Sequence, residues 1–455
     1  MWQECLFCKY SCFKLCVDMK WSNYNILFYS DKLGYCLFNS RMLSFSKISK
    51  ETFELFSKIR DNKIIAEEVL NRSDYDKLVK TKVIVTDHED NNYLNTLKYR
   101  KTIQSYNTKS LGIILCPTLS CNFACPYCYE HNLPNNTMRE PVQDELIKFI
   151  NKKSEDFQDL TLNWHGGEPL IAFETIKQIY MKIENNSKLH IGHSSMVSNG
   201  YLLSQSVCNF FHEKKLDYLQ ITIDGSKDIH NKTRKLKNGQ SSFERIIENI
   251  DMATDLMPNC CIGIRTNIGK SNREDYIQLY FELSKRWAGK NCNIYHTYVL
   301  DNSVNTCEKR RISLELTTEE KNNFEVMLAQ NGIKTKKSLY PKMDCSLYTC
   351  MDDNAYVVDP NGFLYKCWAD VGIMDRSIGT LESGITNYNI VSQFMIATDK
   401  FSDEKCLKCC YLPVCDGGCN LYRVGNIEKG IPYNVCNIND EGLIKYLETY
   451  METYE

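Results

Sequence analysis

Cys121-Asn-Phe-Ala-Cys125-Pro-Tyr-Cys128 sets three thiols within eight residues at a C-x3-C-x2-C spacing. Positions 0, 4 and 7 would share a helix face, but Pro126 breaks such a helix, so the run reads as a loop wrapped around something that all three sulfurs touch. Three ligands rather than four is the informative part. A metal or cluster iron held by three protein ligands keeps one position free for a substrate or cofactor. Just upstream, Leu111-Gly-Ile-Ile-Leu115 is a buried-strand pattern. The loop therefore sits at the carboxyl end of a strand, the end at which α/β barrels do their chemistry. By itself the spacing also fits a zinc knuckle or a buried group of thiols.

The rest of the chain bears on that choice. Its 455 residues contain 23 cysteines. Disulfide frameworks belong to small secreted domains, so in a large chain the excess points to metal or iron–sulfur ligation. A net charge of −2 argues against a nucleic-acid groove or an anionic membrane surface as partner. No apolar run approaches the ~18 residues of a membrane span. Lys9 and Lys14 interrupt the first residues, which do not form a signal peptide. These features predict a cytoplasmic protein with no membrane partner, and the length accommodates roughly three domains.

From 111 to 330 strand and helix patterns alternate. Strands are predicted at Leu111–Leu115, Leu160–Trp164, Ser194–Ser198, Tyr218–Ile223, Cys261–Asn267 and Asn293–Val299, with helices between them. Six βα units in a row make a parallel sheet that curls into a partial barrel. His165-Gly-Gly-Glu-Pro169 follows the second strand, where two glycines let backbone approach a ligand closely. Ser198-Asn-Gly200 ends the third strand, and Ile223-Asp-Gly225 with His230 and Arg234 ends the fourth. The cysteine loop and these motifs, in this order, resemble the radical S-adenosylmethionine (SAM) superfamily, whose fold is a partial (β/α)6 barrel. The resemblance implies that Cys121, Cys125 and Cys128 bind a four-iron–four-sulfur cluster whose fourth iron chelates SAM. It also implies reductive cleavage of SAM to a 5′-deoxyadenosyl radical. Gly166, Gly167 and Glu168 would meet the SAM amino group, Ser198 and Asn199 the ribose, and Arg234 the carboxylate. Arg265 and Asn267 are weaker candidates for the same cavity.

Beyond a basic linker at 331–343 the cysteines crowd again. Cys345 and Cys350 precede a predicted hairpin, Tyr356 to Cys367, turning at Asp359-Pro-Asn-Gly362. Cys406, Cys409, Cys415, Cys419 and Cys436 follow, with Pro413, Gly417 and Gly418 among them. The set resembles the SPASM extension of radical SAM enzymes, which holds two further four-iron–four-sulfur clusters. By position, Cys345, Cys350, Cys367 and Cys419 would hold the first, and Cys406, Cys409, Cys415 and Cys436 the second. That makes three clusters with the SAM-binding one, in a loop-rich domain at 344–440 followed by a C-terminal helix at 441–455. Two zinc sites are the alternative for these cysteines. Cys410 is extra to the pattern. Cys36, Cys116, Cys208, Cys260, Cys261, Cys292 and Cys307 follow no ligand spacing and read as ordinary thiols.

At the other end, residues 1–18 carry Cys5, Cys8, Cys12 and Cys16, either a ligand run or a read-through segment ahead of Met19. Residues 19–88 alternate strands with short helices and resemble the winged-helix-like element that binds leader peptides in many peptide-modifying radical SAM enzymes. Residues 89–110 are polar and read as a linker.

The resemblance implies an α/β enzyme that matures a ribosomally made peptide carrying a leader sequence, forming a thioether or carbon–carbon crosslink. An external one-electron reductant of flavodoxin or ferredoxin type would supply electrons. Anaerobic sulfatase maturation to formylglycine is the second expectation. That group typically carries Asp directly after the cysteine that closes the hairpin, whereas Trp368 follows Cys367 here. A non-catalytic iron–sulfur electron carrier is the third, and the SAM-type motifs speak against it. His165, Glu130, His230 and Asp370 are candidate bases that the sequence does not rank.

Overall fold

The computed structural model describes residues 19–106, 109–130, 133–300, 314–335, 338–344, 346–430 and 432–454. Cys5, Cys8, Cys12, Cys16, Cys307 and Cys345 lie outside the described residues.

The chain opens with β1 (Met19–Trp21), β2 (Asn25–Ser30), β3 (Gly34–Asn39), β4 (Ser44–Lys47) and β5 (Ile84–Thr86). β2, β3 and β4 form an antiparallel sheet in that order, and β1 pairs with β5. Ser49 caps the helix Lys50–Arg60 by accepting from the Thr52 amide, with Glu51 in its first turn and Lys58 and Arg60 in its last, as the helix dipole favours. Phe56 and Ile59 of that helix pack on Trp21 and Leu37. The stretch read as a linker is largely helical. Thr86 and Glu89 form a capping box that starts a helix over Asp87–Ser105. Leu97 on this helix packs with Tyr24 and Leu412.

The six predicted barrel strands are all present as β6 (Ser110–Leu115), β7 (Asp159–Trp164), β8 (Ile191–Ser198), β9 (Tyr218–Thr222), β10 (Cys261–Ile268) and β11 (Cys292–Tyr298). Each pairs in parallel with the next. Their outward faces (Leu111, Leu160, Leu162, Leu219, Ile221, Ile262 and Ile264) are almost wholly buried. They form one apolar core with helix residues such as Leu146, Ile176 and Ile246.

The sheet does not stop at β6. The hairpin strands β12 (Ala355–Val358) and β13 (Phe363–Tyr365) extend it, followed by the two-residue strands β14 (Gly379–Thr380) and β15 (Gly384–Ile385). β12 lies parallel to β6, Ala355 opposite Gly112 and Val358 opposite Leu115. A Cβ on Gly112 would stand 3.2 Å from the Ala355 Cβ, so glycine there makes room for the added strand. The cysteine-rich C-terminal region is thus built onto the very strand that carries the cysteine loop. Tyr356, Val358, Leu421 and Val424 belong to the barrel's own core.

A separate apolar cluster joins the two ends of the chain. Ile26, Phe28, Cys36 and Phe38 pack with Tyr411, Val414, Leu443 and Leu447, the last two from the helix Asp440–Tyr454. Among the described residues no helix is long and apolar enough to cross a membrane.

Candidate active site

The cysteine loop leaves β6 and is pinned on both flanks. Thr118 bridges to Thr137 and Phe123 to Leu236, and the Ala124 amide donates to Lys235 O at 3.0 Å. Cys121, Cys125 and Cys128 are partly buried and unbridged. Burial pushes the Cys121 thiol up to about 11 and the Cys128 thiol up to about 12, and each lies in the field of Cys125. Three mutually close thiols that stay protonated unless a cation arrives make a donor set suited to iron or another soft metal. Among the described residues no three His, Cys, Asp or Glu side chains converge tightly enough to hold one metal ion. In a four-iron cluster each thiolate bonds a different iron, so the thiols stand wider apart than ligands of a single zinc.

The His165-Gly-Gly-Glu segment after β7 is zipped to this loop. The Gly167 amide donates to Thr118 O at 3.2 Å and the Glu168 amide to Ser120 O at 2.8 Å. A Cβ on Gly166, at φ +106°, would lie 2.4 Å from Thr118 O, and one on Gly167 would lie 2.4 Å from Ser120 O. The near neighbour that demands these glycines is therefore the cysteine loop itself, where the sequence suggested a ligand.

Glu168 is fully buried and saturated. Its carboxylate accepts from the Leu170 amide at 3.1 Å, the Ser198 hydroxyl at 2.9 Å and the Asn199 amide at 2.7 Å. It braces the end of β7 against the end of β8, which commits the Ser198 hydroxyl's proton to Glu168. Asn199 in turn donates to the Asn122 side chain at 2.7 Å, inside the cysteine loop.

Sequence reading missed Tyr127, which lies between Cys125 and Cys128. Its hydroxyl donates to Asp224 and accepts from Arg234 Nη1 at 2.7 Å and from Asn267 Nδ2 at 3.2 Å. Arg234 is 8% exposed, lies 5.5 Å over the Phe123 ring and stands 3.9 Å from Asp224. Its Nε has no partner. One phenol thus ties the loop to β9, β10 and Arg234. Tyr127→Phe should slow SAM cleavage roughly 5- to 150-fold, from ~1–3 kcal/mol lost when buried polar partners are orphaned. 5′-Deoxyadenosine yield at unchanged iron content is the readout, and an unaltered rate would show the knot to be dispensable.

The four candidate bases now separate. His230 is fully buried, accepting from the Asp224 amide at 3.3 Å and bonded to Ser242 at 3.1 Å. Asp370 is fully buried and paired with Arg376 at 3.6 Å. His230 is thus bonded within its own loop, and Asp370 lies against Arg376. His165 and Glu130 lie together, 3.9 Å apart, and burial pushes the Glu130 carboxyl up to about 8. The His165 ring sits between Tyr129 and the half-exposed Trp368, parallel to the latter within 6° at 5.7 Å.

Burial, and after it the Arg265 charge, lowers His165 from 6.5 to about 4. The neutral ring accepts from the Gly166 amide at Nδ1, 2.7 Å away. Between those two pH values the unfolded chain binds the proton and the folded one does not, so stability falls as the pH is lowered. By about pH 5 the loss reaches roughly 2 kcal/mol. Urea unfolding of His165→Asn at pH 7 and 5 should show a flatter dependence than wild type, and equal slopes would refute the assignment.

In the C-terminal region Cys350, Cys367 and Cys419 lie in one another's fields, as do Cys409 and Cys415. Sulfur acceptors there are already served. Arg423 Nη2 donates to Cys406 at 3.2 Å, and the Gly417 amide to Cys415 at 3.3 Å. A Cβ on Gly418 would meet Val435 O at 2.1 Å, so that glycine lets the segment bearing Cys436 close over Cys419. Cys410, like Cys409 and Cys415, packs against the apolar cluster of the N-terminal sheet.

Residues 115–283, from the end of β6 through the cysteine loop to the helix after β10, match the model of the Radical SAM superfamily. This stretch is a radical SAM domain. Enzymes of this superfamily use a four-iron–four-sulfur cluster and SAM. Over 354 residues the chain is 24% identical to the cysteine-type anaerobic sulfatase-maturating enzyme of Clostridium novyi (strain NT), spanning 72% of this chain and 92% of that one. The structure of native anSMEcpe with bound AdoMet and Cp18Cys peptide superposes with a TM-score of 0.55 at 18% identity, over 76% of this chain and 96% of that one. Streptococcus suis SuiB bound to S-adenosylmethionine gives 0.51 at 14% identity, over 89% and 96%. At such identities the likeness to this radical SAM enzyme is one of fold.

Proposed function

We propose that this radical SAM enzyme is a peptide maturase that crosslinks a ribosomally made peptide by a thioether or carbon–carbon bond. Cys121, Cys125 and Cys128 would hold the SAM-binding cluster. The backbone of Gly166, Gly167 and Glu168, together with Ser198, Asn199 and Arg234, would line the SAM site. When bound, cluster and SAM supply the 5′-deoxyadenosyl radical that removes a substrate hydrogen atom. Glu168 and Tyr127 hold the surrounding loops in place, and the His165–Trp368 stack walls the mouth. Two auxiliary clusters would be held by Cys345, Cys350, Cys367 and Cys419, and by Cys406, Cys409, Cys415 and Cys436. An external flavodoxin or ferredoxin would reduce the enzyme in the cytoplasm.

The observation that carries this reading is the N-terminal sheet. β4 is an edge strand with mostly exposed residues, free to accept a leader peptide as a further strand. The sheet shares a core with the segment bearing Cys409 and Cys415. Sulfatase maturation is the second reading, favoured by the relative from Clostridium novyi and disfavoured by Trp368 in the place of the expected carboxylate. Anaerobic co-expression with short reading frames adjacent to the gene, followed by mass spectrometry, decides between them. A peptide lighter by two hydrogens per crosslink supports the first reading. Formylglycine in a Cys-bearing sulfatase peptide, with no change in the neighbouring products, supports the second.

A further inference from the structure

Below the mouth of the barrel lies a set of polar side chains that the proposed reaction leaves idle. Because Leu219, Ile221, Ile262 and Ile264 face the outer core, strand alternation turns Tyr218, Gln220, Gly263 and Arg265 toward the lumen. Arg265 is in register with Tyr295 of β11, and Gly263 with Gln220. A Cβ on Gly263 would stand 1.9 Å from the Tyr218 hydroxyl, so the Tyr218 ring lies across β10.

Hydrogen bonds here run in one direction. Tyr218 donates to the Tyr295 hydroxyl at 3.2 Å, and Tyr295 donates to Gln220 Oε1 at 2.7 Å. The Gln220 oxygen is thereby used, and its Nε2 is left buried with no acceptor. Arg265 Nε is buried and unpartnered as well. Among the described residues the Arg265 guanidinium makes no hydrogen bond or ion pair. What remains on this surface is two buried donors without acceptors beside a positive charge without a counter-ion, a combination that an anion would complete.

Two arginines thus face the cavity at different depths. The Arg234 charge is felt by Cys121 and Cys125, whereas the Arg265 charge is felt by Tyr129 and His165 and, deeper, by Tyr218 and Tyr295. Arg234 is bonded to the cysteine loop through Tyr127, whereas Arg265 makes no hydrogen bond to that loop.

We propose that Arg265 and the Gln220 amide form a carboxylate-binding pair that seats an acidic group of the substrate, an Asp or Glu side chain or a free carboxyl terminus, in the barrel lumen. A guanidinium takes a carboxylate through two parallel hydrogen bonds, and the adjacent amide fixes its orientation. This inference rests on the reading that the lumen receives a peptide. SAM also carries a carboxylate, so the experiment must tell the two sources apart.

Thermal unfolding of the anaerobically reconstituted full-length enzyme provides that test, with end-blocked Gly-Glu-Gly and Gly-Gln-Gly as probes in the presence of SAM. The Glu tripeptide should raise the unfolding midpoint and the Gln tripeptide should not. Arg265→Gln should erase the Glu-dependent rise yet keep the rise caused by SAM, and Arg265→Lys should retain part of the former. Without ligands Arg265→Gln should unfold at a higher temperature than wild type, since an uncompensated cation has been removed. Equal responses to the two tripeptides in the wild type overturn the proposal without need of any variant. A variant that loses the SAM-induced rise also overturns it, by assigning Arg265 to SAM. If SAM shifts nothing in the wild type, the SAM site itself has been misplaced, a failure distinct from that of the carboxylate pair.

Discussion

On the proposed assignment of three clusters, Cys125→Ala is expected to reduce 5′-deoxyadenosine formation to background, a fall of at least ~1,000-fold, and to remove about a third of the bound iron. With three thiols the cluster keeps one iron open; with two it is no longer anchored against exchange or loss. The loop's anchoring bonds, including that from the Ala124 amide to Lys235 O, are made by backbone and survive the change. Cys125 packs at the margin of the barrel core, where trimming its sulfur costs about 1 kcal/mol. The variant should therefore remain folded and keep the iron of the C-terminal cysteines. Cys208→Ala is the control. That thiol is fully buried in the barrel core with no ligand spacing, so its loss costs packing, about 1 kcal/mol, and leaves SAM cleavage intact. Iron assay and product chromatography on both proteins settle the point, and an active Cys125→Ala enzyme would remove the foundation of the functional reading.

Gly167→Ala carries the second large effect. The added methyl would stand 2.4 Å from Ser120 O and 2.6 Å from both Leu119 O and the Ser120 carbonyl carbon. All three are backbone, so no side chain can swing aside, and the cysteine loop must lift from the segment after β7. Overpacking of this kind costs ~1–3 kcal/mol, occasionally more. The cost falls on the relative placement of the two segments that would hold cluster and SAM, so cleavage should drop at least ~100-fold while the unfolding midpoint moves little. Gly239→Ala is the comparison: φ is +83° but nothing lies within 4 Å. It should cost about 1 kcal/mol of backbone strain and leave the rate unchanged. Equal damage from the two substitutions would mean that conformation, and not contact with the cysteine loop, is what glycine supplies at 167.

The barrel was legible because strand and helix patterns alternate six times; Leu111–Leu115 is a nearly continuous apolar run, and β7, β9 and β10 alternate apolar with polar residues. The cysteine spacing needs no tertiary knowledge at all. What escaped depends on partners remote in the chain. Nothing within Ala355–Val358 says that it will lie beside Ser110–Leu115, and Gly112 is the one local hint. Tyr127 stood inside the decisive motif, yet its role is set by residues 97 and 107 positions away. The helix Asp87–Ser105 had a readable start in Thr86-x-x-Glu89, but its sparse apolar residues gave no strong stripe. The sequence points Glu168 at a ligand but does not show that its carboxylate also accepts from the Leu170 and Asn199 amides and the Ser198 hydroxyl, as a buried carboxylate needs satisfied acceptors.

The apolar cluster that joins Ile26, Phe28 and Phe38 to Leu443 and Leu447 bears on biosynthesis. Amino-terminal modules ordinarily fold as they emerge from the ribosome. This one leaves the face that carries Ile26, Phe28 and Phe38 without its Leu443 and Leu447 partners until translation has passed residue 447. During that interval the nascent sheet is a target for chaperones, and a fragment cut before the final helix would precipitate instead of surviving as a separable binding cassette.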